Sequence, residues 1–112
     1  MLLVEDESRI AMLLRDMLEE TGCEVVATAA RLDDALDQAT SQSFEIAVLD
    51  VNLGGKPVYP VASALLERGV PFVFATGYGS ANVPQEFRSV PVVQKPFVRR
   101  QLEQALRAAL DG

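Results

Sequence analysis

Four apolar runs in this chain each end at a residue able to do chemistry. Leu2-Leu3-Val4 meets Glu5-Asp6, Ile46-Ala47-Val48-Leu49 stops at Asp50, Phe72 to Ala75 stops at Thr76, and Val90 to Val93 stops just before Lys95. Singly, each has an ordinary explanation: an acid after a strand often caps a helix, a threonine often ends a strand, and a lysine is usually solvated. Brought together, carboxylates ~5 Å apart repel by roughly 3 kcal/mol per pair at an effective dielectric of ~20, so such a cluster needs a cation. A hard divalent ion held by oxygens meets that need, and Mg²⁺ typically takes one or two carboxylates, waters and phosphate oxygens. Lys95 supplies a second positive charge.

The elements around these residues explain how they could meet. Each apolar run reads as a buried strand. Between them, Ile10, Leu13, Leu14, Met17 and Leu18 repeat at helical spacing, with Ser8 as the expected N-cap and Gly22 as the stop. Glu24 to Ala29 reads as a second strand, and Leu32, Ala35, Leu36 and Ala39 mark a second helix. The segment Asn52 to Pro57, with its Gly54-Gly55 pair, reads as a loop before a helix carrying Val61, Ala62, Leu65 and Leu66 and ending at Gly69. Between Gly77 and Ser89 only a turn or two of helix near Phe87 is supported, opened by Pro84. A last helix carries Leu102, Ala105, Leu106, Ala109 and Leu110 on one stripe. Five strands alternating with helices predict an α/β, flavodoxin-like doubly wound parallel sheet of strand order 2-1-3-4-5. In such sheets ligands bind beyond the carboxyl ends of the strands, where Glu5, Asp6, Asp50, Thr76 and Lys95 fall.

Composition narrows the chemistry. The 112 residues fit a single domain spanning 1–112, and 10 basic against 16 acidic residues give a net charge of −6. No basic face stands out, which argues against direct binding to nucleic acid or anionic membrane. The start MLLV meets acids too soon to be a signal peptide or a span, and the one cysteine, Cys23, cannot form an internal disulfide; a cytoplasmic setting is expected. With no histidine, serine-histidine catalysis and histidine metal sites are excluded, as is a phosphohistidine on this chain. The run VFATGYG is no phosphate-binding loop, since no G-x-x-x-x-G-K-[ST] pattern surrounds it.

The V-E-D-E run at Val4 to Glu7, D-V-N-L at Asp50 to Leu53, A-T-G at Ala75 to Gly77 and K-P-F at Lys95 to Phe97 stand in order along the chain. In these four motifs the sequence resembles the receiver domain of two-component response regulators, over nearly its whole length. The resemblance implies that Asp50 is the phosphoacceptor, attacking a phosphohistidine on a sensor histidine kinase or phosphotransfer protein. It implies that Asp6, Asp50 and the backbone carbonyl of Asn52 bind Mg²⁺, with Glu5 helping through a metal-bound water. Thr76 and Lys95 would each engage a phosphoryl oxygen, Gly77 would leave room for the phosphoryl group, and Lys95-Pro96 would match the family's usual cis peptide. The chain would catalyse only its own phosphoryl transfer and dephosphorylation. A second copy docked through the last helix is the other expected partner.

Two departures qualify this. Val92 stands three positions before Lys95, where receivers usually carry the aromatic residue of the switch, and Gly54-Gly55 stands where a proline commonly follows the acceptor. Together with V-P-F-V-F-A-T-G-Y-G, the latter resembles a receiver subgroup with an F-A-T-G-Y-type run, often found as stand-alone domains; Tyr78 would then take part of the switching role. The competing readings are an interaction module that keeps the fold but uses no phosphate, and an aspartate-nucleophile phosphohydrolase, which lacks any residue besides Asp50 poised to activate water.

Overall fold

The computed structural model describes residues 1–77, 83–95 and 98–111. Five strands, β1 (Leu2–Val4), β2 (Ala27–Ala29), β3 (Ala47–Asp50), β4 (Phe72–Thr76) and β5 (Val92–Gln94), form one parallel sheet of order β2-β1-β3-β4-β5. Four α-helices lie among the described residues: α1 (Ser8–Glu20), α2 (Leu32–Ser41), α3 (Tyr59–Glu67) and α4 (Arg99–Asp111). This is the doubly wound order expected from the alternation of apolar runs and helices.

Side-chain alternation along each strand splits the core between the two faces of the sheet. Leu2, Val4, Ala47, Leu49, Phe72 and Phe74 pack with Ala35, Ala39, Val61, Ala62 and Leu65 from α2 and α3. Leu3, Val48, Val73, Ala75 and Val93 pack on the other face with Leu14, Leu18, Leu102 and Leu106 from α1 and α4. Because β1, β3 and β4 are apolar on both faces, nothing polar interrupts them until their carboxyl ends. Cys23 is half-buried and packs against the second of these clusters.

Local differences from the sequence reading have local causes. Glu7, not Ser8, occupies the N-cap of α1, in extended backbone and without a side-chain cap bond, so Ser8 is the first helical residue. β2 begins at Ala27 and β5 at Val92, each shorter at its start than its apolar run. The expected short helix near Phe87 is a single 3₁₀ turn, Gln85–Phe87. Asn52 to Pro57 is an antiparallel ribbon rather than an open loop, with Leu53 opposite Lys56 across Gly54-Gly55. Their φ values of 56° and 89° are those of the tight hairpin turn whose twist suits paired strands, and glycine adopts them without a Cβ penalty.

Arg68, just past α3, ties that helix to α2: its Nη1 donates to the carbonyls of Ala39 and Gln42, the latter at 2.5 Å. These carbonyls have no partner within the helix, and a cation is favoured at the C-terminal end of the dipole. Arg68→Ala is expected to lower stability by about 1 kcal/mol, below the usual worth of bonds to a charged group because Arg68 is exposed to water. Urea unfolding followed by circular dichroism would read this, and an unchanged midpoint would mean that water replaces the guanidinium at no cost.

Candidate functional site

Strand register brings the polar run ends together. Val4 pairs with Leu49, Asp50 with Ala75, and Thr76 with Gln94, so the residues that follow or end β1, β3, β4 and β5 lie along one edge of the sheet. Backbone bonds extend the alignment: Val51 N–H donates to Ala75 O at 3.0 Å, and Lys95 N–H to Thr76 O at 2.9 Å. The expected residues therefore meet in space. Ligand oxygens of Glu5, Asp6 and Asp50 all lie within 4.8 Å of one another, and Glu5, Asp50 and Thr76 are buried.

Lys95 is the counter-charge. Its Nζ is 2.8 Å from Glu5 Oε1 and 3.2 Å from Asp50 Oδ2. The acids are also held by backbone donors. Glu7 N–H reaches Glu5 Oε2 at 3.2 Å, Asn52 N–H reaches Asp50 Oδ1 at 3.3 Å, and Gly54 N–H reaches Asp6 Oδ2 at 2.8 Å. The ribbon thus has a purpose the sequence did not reveal: its turn points an amide at Asp6, while Asn52 Oδ1 accepts from Gly55 N–H at 2.9 Å and stiffens the same turn. A backbone donor leaves no residue-type signature, although the Gly-Gly pair between two extended dipeptides was the available hairpin signal.

Three carboxylates beside one ammonium crowd negative charge into a small space, and Asp50 bears the consequence. Burial, reinforced by the neighbouring Glu5, pushes Asp50 up to about 7 against the pull of Lys95. Asp6 is exposed, and the slight loss of solvent that would raise it is outweighed by the Gly54 amide and hydrogen bonds shared with Glu5 and Asp50, which hold it below the usual carboxylate range. Lys95 loses solvent, yet Glu5 and Asp50 outweigh that loss and raise it, so it stays an ammonium. Below about pH 7 a proton on Asp50 does part of the work that a stronger cation would do. The donor set is all oxygen, compact and over-supplied with negative charge, which fits a small hard divalent ion.

The site opens into a cavity of about 510 Å³, whose walls include Asp6, Asp50, Asn52, Thr76, Gly77 and Lys95. Tyr59 and Val83 also line it, and sequence reasoning passed over both. Tyr78 and the Pro96-Phe97 pair of the K-P-F run lie outside the described residues, so the switching role expected of Tyr78 and the Lys95-Pro96 peptide stand apart from this geometry.

Comparison with known proteins agrees with this arrangement. The family model "Response regulator receiver domain" matches residues 1–107. The solution structure of SdrG from Sphingomonas melonis Fr1 is 45% identical with a TM-score of 0.86, covering 97% of this chain and 93% of that one. SdrG in its BeF3-activated conformation, from Pseudomonas melonis Fr1, is 44% identical with a TM-score of 0.81 over the same 97% and 93%. Among curated proteins, Ethylene receptor 2 of Arabidopsis thaliana is 29% identical over 97% of this chain, but the chain spans only 15% of that protein's length. The transcriptional regulatory protein PdtaR of Mycobacterium tuberculosis is 26% identical over 98% of this chain, which spans 56% of it. With the fold, the order of its motifs and the family match in agreement, the chain belongs to the response regulator receiver domains of two-component systems.

Proposed function

We propose that this receiver works as a single phosphoacceptor unit in which Asp50 takes a phosphoryl group from a histidine kinase or phosphotransfer protein. The observation that carries this reading is the convergence of Glu5, Asp6 and Asp50 within 4.8 Å beside the Lys95 ammonium, at the mouth of a cavity lined by Thr76. An Asp50 carboxylate oxygen forms the new bond to phosphorus as the bond from phosphorus to the donor's imidazole nitrogen breaks, and the imidazole departs after taking up a proton. Phosphoryl transfer asks for alignment and for neutralisation of the equatorial oxygens rather than for much covalent chemistry. Lys95 neutralises one of those oxygens, and the Thr76 hydroxyl donates to another.

Asp6, Asp50 and the Asn52 backbone carbonyl would hold Mg²⁺, with Glu5 acting through a bound water. When bound, the ion supplies charge neutralisation for the carboxylates and the phosphoryl oxygens. Gly54 keeps Asp6 ionised and oriented for this, since its amide donates to Oδ2. A relative described in a BeF3-activated conformation supports the same use of the site. Output would come from reordering of a surface that a partner protein reads; among the described residues no helix is long and apolar enough to cross a membrane.

Incubation with Mg²⁺ and acetyl phosphate, followed by mass spectrometry, tests the reading. One hydroxylamine-labile phosphoryl adduct per chain is expected, absent from Asp50→Asn. Val92 at the usual aromatic position favours the competing module that uses no phosphate, and that module would give no adduct and the same partner affinity with and without beryllofluoride.

A further inference from the structure

A receiver with an aliphatic Val92 still needs something to carry a change at Asp50 away from the site, and the aromatic side chains of the first core cluster form a path for it. Tyr59, the first residue of α3, lines the Asp50 cavity. The turn that delivers it is pinned to the residue after Asp50, because Val58 N–H donates to Val51 O at 2.9 Å. Its ring stacks on Phe87, with centroids 5.8 Å apart and planes at 18°, and meets the Phe74 ring edge-on at 6.0 Å and 88°.

Phe87 is fully buried and belongs to the Gln85–Phe87 turn, which is closed by Phe87 N–H on Pro84 O and by Val90 N–H on Phe87 O. Phe74 meets Phe87 at 5.7 Å in the same T-shaped manner and, by strand alternation, lies on the same face of β4 as Thr76. Val92 packs against this same cluster, so Tyr59 and Phe87 occupy the neighbourhood into which a larger residue at position 92 would project.

We propose that Tyr59 is the aromatic positioning residue of this receiver, coupling occupancy of the Asp50 cavity to the Gln85–Phe87 turn through its stack on Phe87. The proposal rests on the reading of Asp50 as phosphoacceptor. A group bound to Asp50 enters the space that Tyr59 walls. Because the ring is stacked on a fully buried partner, a shift of Tyr59 changes the packing of Phe87; packed clusters of this kind move between discrete arrangements rather than deforming smoothly.

The sequence holds two tyrosines and no tryptophan, so Tyr78→Phe makes Tyr59 the only tyrosine reporter. In that variant, Mg²⁺ with beryllofluoride is expected to change the tyrosine near-ultraviolet circular dichroism. Fluorine NMR would verify, in the same sample, that beryllofluoride is bound. In the unaltered chain, amide exchange over residues 85–90 is expected to change by about fivefold or more, the lower range for coupled sites. Tyr59→Leu should bring that change below about twofold while the bound fluorine signal persists, and Tyr59→Phe, which keeps the stack, should retain it. Bound beryllofluoride with a silent Tyr59, or an undiminished exchange response in Tyr59→Leu, overturns the proposal. Absence of any bound fluorine signal overturns the phosphoacceptor reading instead, and this proposal with it.

Discussion

In buffer free of divalent ions at pH 8, Asp50→Asn is expected to be more stable than the unaltered chain by about 1–2 kcal/mol, although it removes the residue on which the proposed function depends. The cause is the pairing of a buried Asp50 with a buried Glu5 across a single ammonium. Asparagine keeps an oxygen for the Asn52 amide and leaves Lys95 its 2.8 Å contact with Glu5, so the substitution removes like-charge repulsion and desolvation without orphaning either partner. Full conversion of the displacement to about 7 would give a larger figure; solvent reaching Lys95 and local relaxation reduce it.

The pH dependence follows from the direction of that displacement. Asp50 in the folded chain titrates at about 7, above the 3.8 expected of an unperturbed aspartate, so the folded state holds the proton more tightly than the unfolded state does. Below the unfolded value both states are protonated and the site costs nothing. As pH rises from there to about 7, the unfolded chain alone releases its proton, and the unaltered protein loses stability relative to Asp50→Asn. The advantage of the variant should therefore be greatest above pH 7 and close towards pH 4. Urea unfolding measures it: with a slope of ~1.5 kcal/mol/M, the midpoint at pH 8 should move by roughly 1 M. Mg²⁺ should close the gap and, near saturation, reverse it, because ligand at ~100 times its dissociation constant adds about 2.7 kcal/mol to a chain that binds it. A variant less stable than the unaltered chain at pH 8 would mean that the acids do not strain the metal-free fold.

How much of this could be read from the residues alone depends on what each feature is made of. The four run ends were legible because strands apolar on both faces leave only their carboxyl termini for polar side chains, and the register of β1, β3, β4 and β5 then aligns those termini. The N-cap of α1 moved from Ser8 to Glu7 because cap identity depends on backbone angles at one residue, and Glu7 has them without making a cap bond. The ribbon at 52–57 hid behind a Gly-Gly pair that suits an open loop as well as a hairpin. Its contribution to the site is the amide of Gly54, which any residue type would carry. Tyr59 was passed over because nothing in its own segment marks it; its place in the cavity wall follows from how the first turn of α3 packs against Phe74 and Phe87, residues distant in sequence.

Lys95→Ala should have the opposite effect to Asp50→Asn, and a larger one. The Lys95 side chain is only 20% exposed, while those of Glu5 and Asp50 are 1% and 8% exposed, so removing the ammonium strands two buried carboxylates. Breaking a buried pair by deleting one partner costs up to ~3–5 kcal/mol; with Lys95 partly in water, about 2–3 kcal/mol is expected at pH 8 without divalent ions. Because the Lys95 pKa is raised above 10.5, its contribution is present below that value and lost only as pH passes the folded value. Between pH 5 and 9 the ammonium is therefore constant, and any pH dependence of the variant comes from the acids: the loss should shrink towards pH 5, where Asp50 is protonated in the folded chain, and grow towards pH 8. Glu5→Gln in the Lys95→Ala background should recover part of the stability by removing one stranded charge, a coupling that a packing defect would not show. Phosphorylation by acetyl phosphate should fall by roughly 10²-fold, the scale on which a preorganised charge partner of the transferring group acts. Equal unfolding midpoints at pH 5 and pH 8, relative to the unaltered chain, would mean that Lys95 holds the site by its methylene packing and not by its charge.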